Sequence, residues 1–493
     1  MNVIPCTAWV KKGVASTSPE KVELSPKELE QIIKQTQSEL HDAENDSDEE
    51  QDATLDQENE TKPQLNVSEN DEYKFNTYDD ESGNIHCNIG NIVSFGEDGK
   101  DPLVTKGDDD SEKEDDIIKS DDNLVLIGHV EGDASILEVF VYNEGEGSFY
   151  CHHDILLPSF PLCIEWLNYD PTDPKLSNLC AIGNMTPIIE VWDLDVIDCL
   201  EPAYKLGRKP SKKKNIKRVG HKDAVLDLAW NENYTHVLAS GSVDQTVLLW
   251  DLENGKPVNK FTSFNEKVQS LKWHPTETHQ LLTGCADKTV RLFDCRQETI
   301  TKSWEALGEV ERVLWNRFDP NYCIVSTDTG HVQYIDVRED QAIWSIDAHT
   351  KEVTGLSMSS SCPGFLVTSA NDGILKVWDI DNTEPWHVLE KKTNLGALLC
   401  LASNPDNAFV FAVGGDNKSH NFKVLDFWEI SEVRERFQDR KLIKNSNCNV
   451  KEEKEEVMDV TEDMESMTIL NTDPPNKVSK KKKKNKQSAK SNC

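Results

Sequence analysis

Two histidine–aspartate pairs are the residues of this 493-residue chain best equipped to do chemistry. His221 precedes Asp244 by 23 positions, and His349 precedes Asp372 by the same 23. Each pair encloses a hydroxyl, Ser240 or Thr368, and is followed by an indole, Trp250 or Trp378. Hydroxyl, imidazole and carboxylate are the parts of a nucleophilic hydrolase. Here the whole set occurs twice at one spacing, whereas a catalytic centre is built once, and no nucleophile elbow surrounds either serine or threonine. The eight residues therefore read as two copies of a buried structural link, at about 1 kcal/mol per hydrogen bond. No catalytic residue is assigned, and the chain is expected not to be an enzyme.

The remaining chemical motifs weaken under the same scrutiny. Asp328-Thr329-Gly330 has the form of an aspartic-protease triplet, yet that mechanism needs a second such carboxylate and the chain offers none. His152-His153-Asp154 lies in a strand-like run, where neighbours point to opposite faces and do not share a metal. Thirteen cysteines are scattered without a CxxC pair, so free buried thiols are expected, with neither a metal nor a disulfide framework. No phosphate-binding glycine loop is present. Cofactor and small-molecule substrate are both expected to be none.

The elements that would carry these residues repeat. Apolar strands ending in an aromatic and an acid occur at 188–193, 247–251, 290–294, 332–336, 375–379 and 424–429, with Trp192, Trp250, Phe293, Ile335, Trp378 and Trp428 in the closing place. Intervals of 58, 43, 42, 43 and 50 residues separate them, the longest containing a basic insertion. A second series ends at Trp166, Trp230, Trp273 and Trp315, and a third places Trp304, Trp344 and Trp386 on an outer strand. Eleven of the twelve tryptophans lie on these series; Trp9 is the twelfth. Residues 3–9 (VIPCTAW) match the second series, while 123–129 and 137–143 (with Tyr142 as closer) look like middle strands lacking an inner partner. Residues 1–10 are thus expected to supply the innermost strand of a first unit. The count becomes seven, and a period of about 40–45 residues with four short strands is the pattern of a WD-repeat β-propeller. The fold class expected is all-β.

Charge divides the chain outside that frame. From Glu39 to Asp122 there are 29 acidic residues against six lysines, a large share of the net charge of −36. Such composition predicts an acidic, mostly disordered insertion over 11–119, with a short helix near 26–40 capped by Ser25-Pro26-Lys27-Glu28. Ser47 and Ser111, each followed by acids, suit an acid-directed kinase. Within the propeller at 120–444, a basic loop at 205–218 carries Lys212, Lys213, Lys214, Lys217 and Arg218. The tail at 445–493 carries Lys480, Lys481, Lys482, Lys483 and Lys484 and is expected to be disordered. Both clusters have the character of nuclear signals or phosphate contacts. Neither a signal peptide nor a membrane-spanning run is recognisable, so no membrane partner is expected.

The N-terminal CTAWV, the run FYCHHDILL at 149–157 and IGNMTPIIEVWDL at 182–194 resemble the periodic tryptophan protein 1 family, as far as about Lys444. The resemblance implies a nucleolar role in ribosome biogenesis: pre-rRNA processing, large-subunit assembly, and rDNA chromatin supporting rRNA transcription. It implies ribosome-assembly proteins as partners, with pre-rRNA, histones or rDNA chromatin as alternatives, in the nucleus and nucleolus. Two other readings stay open at this point. One is a chromatin adaptor taking histone tails in the propeller mouth. The other is a cullin ubiquitin-ligase substrate receptor, for which Arg296 and Arg338 stand after Asp294-Cys295 and Asp336-Val337.

Overall fold

Runs of β-branched and aromatic residues, separated by tight polar turns, fold each period into an antiparallel sheet. In a computed structural model these sheets form a seven-bladed propeller; the residues described are 1–22, 34, 117–172, 177–211, 215–297, 299–381 and 384–443. Blade 3 shows the plan from the axis outward: Val225–Trp230, Val237–Ser242, Val247–Asp251 and Lys256–Phe261. The two middle strands are buried almost throughout, while the outer one alternates between exposed and partly buried. Apolar side chains therefore sit between blades, and stacking in a ring buries them.

Blade 1 is assembled from distant parts of the chain. Its innermost strand is Asn2–Val10, paired antiparallel with Asn123–Glu131, so that Trp9 faces Val125 and Val10 faces Leu124. Ala134–Asn143 and Ser148–Leu157 complete it. On its other side Asn2–Val10 closes the ring against blade 7. There Trp9 Nε1 donates to the Ala402 carbonyl at 3.2 Å, the Cys400 thiol to the Ile4 carbonyl at 3.4 Å, and the Lys12 amide to Asp406 Oδ2 at 2.9 Å.

Three of the tryptophans ending innermost strands bond across a blade boundary, whereas Trp166 and Trp230 donate within their own blades to Asn178 Oδ1 and the Thr235 carbonyl. Trp273 Nε1 donates to the Ala229 carbonyl at 2.9 Å and Trp315 Nε1 to the Lys272 carbonyl at 3.1 Å. In each case, as at Trp9, the indole reaches back to the innermost strand of the preceding blade. Side chains one turn higher satisfy the neighbouring edge in the same way: Asp227 Oδ2 accepts from the Leu271 amide at 2.7 Å, and Ser270 Oγ from the Val313 amide at 3.2 Å. An innermost strand has one edge without a ladder, and these bonds occupy it.

Three expectations change. Trp428 does not close a strand, because the third strand of blade 7, Phe422–Asp426, ends before it. Register places Leu425 opposite Phe411, the position Trp250 holds opposite Leu238, and Phe427–Glu429 turns into a 3₁₀ helix followed by the helix Ser431–Phe437. Among the described residues blade 7 has three strands, Leu398–Ser403, Val410–Gly415 and Phe422–Asp426, rather than four. His152 and His153 do not diverge either. The ladder skips His152 as a bulge between Cys151 and His153, which swings the two Nδ1 atoms to 2.9 Å. The expected helix near 26–40 and the tail at 445–493 lie outside the described residues, Lys34 excepted, as do Ser47, Ser111, Lys212–Lys214 and Lys480–Lys484. The described flanks of the insertion lie on the propeller, Glu20–Lys21 pairing in parallel with Val196–Ile197.

Candidate nucleic-acid interface on the upper rim

Alternating strand direction sorts the connections onto two rims. Turns between second and third strands share one rim, here the upper, with the links from one blade to the next. The insertion joins the first and second strands of blade 1 and so leaves from the lower rim. The basic segment links the outer strand of blade 2, Tyr204–Leu206, to the innermost strand of blade 3, and so stands on the upper rim.

That segment is a β-hairpin rather than a loose loop. Arg208 and Val219 exchange backbone hydrogen bonds at 2.8 and 3.1 Å, and Ser211 and Ile216 at 3.0 and 2.8 Å. Its root is fixed by glycine: Gly207 and Gly220 have φ of 98° and 96°, and a Cβ on Gly220 would stand 2.7 Å from the Trp250 ring. Lys205, Arg208, Lys209, Lys217, Arg218 and Lys222 are exposed along it. Arg218 also donates to the Lys222 carbonyl at 3.2 Å, tying the hairpin to the turn below. Exposed cations on a two-stranded ribbon suit phosphate contact without base readout.

Beneath the hairpin lies the first polar network. His221 Nε2 is 2.7 Å from Ser240 Oγ, which accepts from Trp250 Nε1 at 2.8 Å. His221 Nδ1 is 3.2 Å from both Asp244 oxygens, and the Lys222 amide donates to Asp244 Oδ2 at 2.8 Å. Burial alone would raise the Asp244 carboxyl, but hydrogen bonds from His221 and Thr246 outweigh it and hold the group far below the usual carboxylate range. Blade 6 repeats the arrangement. His349 Nε2 lies 2.8 Å from Thr368 Oγ1, Trp378 Nε1 donates to the same oxygen at 3.0 Å, and His349 Nδ1 is 3.2 Å from Asp372. Burial pushes His349 below its ordinary range despite Asp372. Each hydroxyl is shared between an imidazole and an indole.

Arg296 and Arg338 turn back on their own blades. Arg338 grips Asp336 through Nε at 2.8 Å and Nη2 at 2.6 Å, and Arg296 holds Asp294 at 3.2 and 2.9 Å. Asp328-Thr329-Gly330 forms the turn between Tyr322–Thr327 and His331–Asp336. Composition gave no hint of the charges near the axis. Burial pushes the Glu165 carboxyl up, while Lys272 is held above the usual lysine range by the Glu165 charge. At the upper mouth Gln269 Nε2 donates to Glu311 Oε1 at 2.7 Å, and burial together with Glu352 pushes Glu311 up to about 7. Glu165, Lys272 and Glu311 stand on the innermost strands of three blades, so only ring closure brings them together.

Buried neutral histidines make stability pH-dependent. His153 is 6% exposed, and burial lowers it to about 4, so the unfolded chain binds the proton more readily. Its contribution is complete above pH 6.5 and is lost as pH falls from 6.5 toward 4, reaching about 2 kcal/mol at pH 5. Denaturant midpoints at pH 7.5 and pH 5 should differ accordingly, and His153→Gln should narrow the difference.

Comparison with known proteins locates the chain. The family described as WD domain, G-beta repeat matches residues 213–251, 255–294 and 340–379. A periodic tryptophan protein 1 homolog of Drosophila melanogaster is 45% identical over 430 residues, covering 84% of this chain and 92% of that protein. Periodic tryptophan protein 1 of Saccharomyces cerevisiae is 32% identical over 545 aligned positions, covering 92% and 93%. An uncharacterized WD repeat-containing protein of Schizosaccharomyces pombe is 36% identical, covering 89% and 92%.

Proposed function

This chain belongs to the periodic tryptophan protein 1 family of WD-repeat proteins, and on that premise we propose that it is a non-catalytic scaffold of ribosome biogenesis in the nucleolus. In this reading the propeller gathers ribosome-assembly proteins on pre-rRNA during large-subunit maturation. The upper-rim hairpin is the observation that carries it: a rooted ribbon with six exposed cations on a strongly acidic protein. General attraction to RNA is opposed by the net charge, so contact would be confined to this ribbon and to other local basic segments.

Ultraviolet crosslinking of RNA to the full chain in nuclear extract is the test. Adducts should map to 205–222, and the chain should sediment with preribosomal particles. Preribosomal particles without the chain, or adducts confined to other surfaces, would overturn the proposal. In binding to single-stranded RNA, Lys209→Ala with Lys217→Ala should lower the slope of log affinity against log salt by about 1.4. The melting temperature should hardly move.

A histone-tail adaptor is the second reading, favoured by Glu311 and Glu352 at the upper mouth, where a basic side chain would find two carboxylates. Histone-peptide binding abolished by Glu311→Gln would support it, and binding unaffected by that change would exclude the mouth.

A further inference from the structure

Among the described residues, blade 7 leaves a strand edge open where the other six blades are paired. Two ladder bonds fix the phase of Phe422–Asp426: the Gly415 amide donates to the Asn421 carbonyl at 2.7 Å, and the Phe427 amide to the Phe409 carbonyl at 2.9 Å. Residues 421, 423, 425 and 427 therefore turn their backbone groups inward, and Phe422, Val424 and Asp426 turn theirs outward. In blade 3 the corresponding strand Val247–Asp251 is paired with Lys256–Phe261. Among the described residues no strand pairs with Phe422–Asp426.

The walls of this slot are apolar. On the blade 1 side Phe149 is 41% exposed, its ring 6.2 Å from Phe422 and 4.8 Å from Phe140. On the blade 6 side Leu425 and Leu389 are only partly buried. The lower end is acidic on balance: the charges of Glu144, Asp426 and Glu429 all bear on the Tyr142 hydroxyl there, with Arg434, held on the Trp428 carbonyl, opposing them at Asp426. An incoming strand antiparallel to Phe422–Asp426 starts at that end.

We propose that blade 7 is completed in trans by an extended segment of a partner protein, entering at the lower rim with Lys or Arg and continuing with alternating apolar residues. Main-chain bonds to Phe422, Val424 and Asp426 would supply the affinity, and the acidic end and the two apolar walls the selectivity. This adds a protein-binding edge to the scaffold and does not depend on RNA contact at the hairpin.

Residue-resolved hydrogen exchange of the full chain tests it, with the synthetic peptide KRVTVTVN as probe and EEVTVTVN as its charge-reversed control. In the isolated chain the Phe422, Val424 and Asp426 amides should exchange far faster than those of Lys423 and Leu425. The basic peptide should slow them about tenfold or more, and the acidic peptide should not. Val424→Pro removes only an outward N–H, so it should keep the melting temperature and lose the peptide effect. Should that variant unfold, Phe149→Asp places a charge in the wall and should lose the effect instead. Outward amides already protected in the isolated chain, equal binding of both peptides, or protection that grows with protein concentration as a dimer forms would each overturn the proposal.

Discussion

Removal of residues 1–10 is expected to abolish a cooperative melting transition at physiological temperature. Val3, Ile4, Trp9 and Val10 are all buried, Ile4 and Trp9 in the apolar seam between blades 1 and 7 and Val10 in the one between blades 1 and 2. Burial of such side chains contributes roughly 1.5–3 kcal/mol each, so the deletion loses about 10 kcal/mol, comparable to the whole stability of many proteins. The loss is also topological. Without Asn2–Val10 the strand Asn123–Glu131 becomes an open edge, and blades 1 and 7 no longer meet through Trp9 and Cys400. Excision of 45–115 touches none of these contacts and should barely shift melting. Calorimetry and limited proteolysis of the two deletions distinguish them, and equal effects would refute the closure described above. Trp9→Ala is the milder test, expected to cost about 3–5 kcal/mol.

The shared hydroxyls come next in expected size. Thr368→Val preserves shape while leaving both the His349 imidazole and the Trp378 indole without their common partner. Two buried polar groups so orphaned should cost roughly 2–5 kcal/mol, and Ser240→Ala should behave alike in blade 3. The two changes lie on separate blades and should add. Denaturant titration measures both. A loss below about 0.5 kcal/mol would mean that the network is not a stabilising link.

Much of this ring is legible in the residues because tryptophan placement follows strand placement. The innermost strand at Trp9 is recoverable from a match to VQSLKW and VERVLW, whose tryptophans, like Trp9, meet a carbonyl of the preceding blade. Other features hide because they depend on what fails to happen. Blade 7 has no outer strand among the described residues, yet DFWE imitates the usual closing sequence, and only the early turn at Phe427 reveals that Leu425 has taken the aromatic's place. The bulge at His152 is equally silent in composition: alternation predicts diverging rings, and one skipped ladder position brings them together. The basic cluster was visible as charge, but its ribbon form required the pairing of Arg208 with Val219. The axial charges, Glu165 and Lys272 among them, acquire meaning only when separate blades close around them.

Fastening the circle with a strand made well before the blade it joins has a bearing on synthesis. The ribosome releases Asn2–Val10 long before Phe422–Asp426, the strand that ends the blade clasping it. At about 5–20 residues per second, the nascent chain waits some tens of seconds with that ribbon unclasped. Every premature termination before the last blade leaves the same apolar ribbon on display, a ready mark by which chaperones and proteases can tell an unfinished molecule from a finished one.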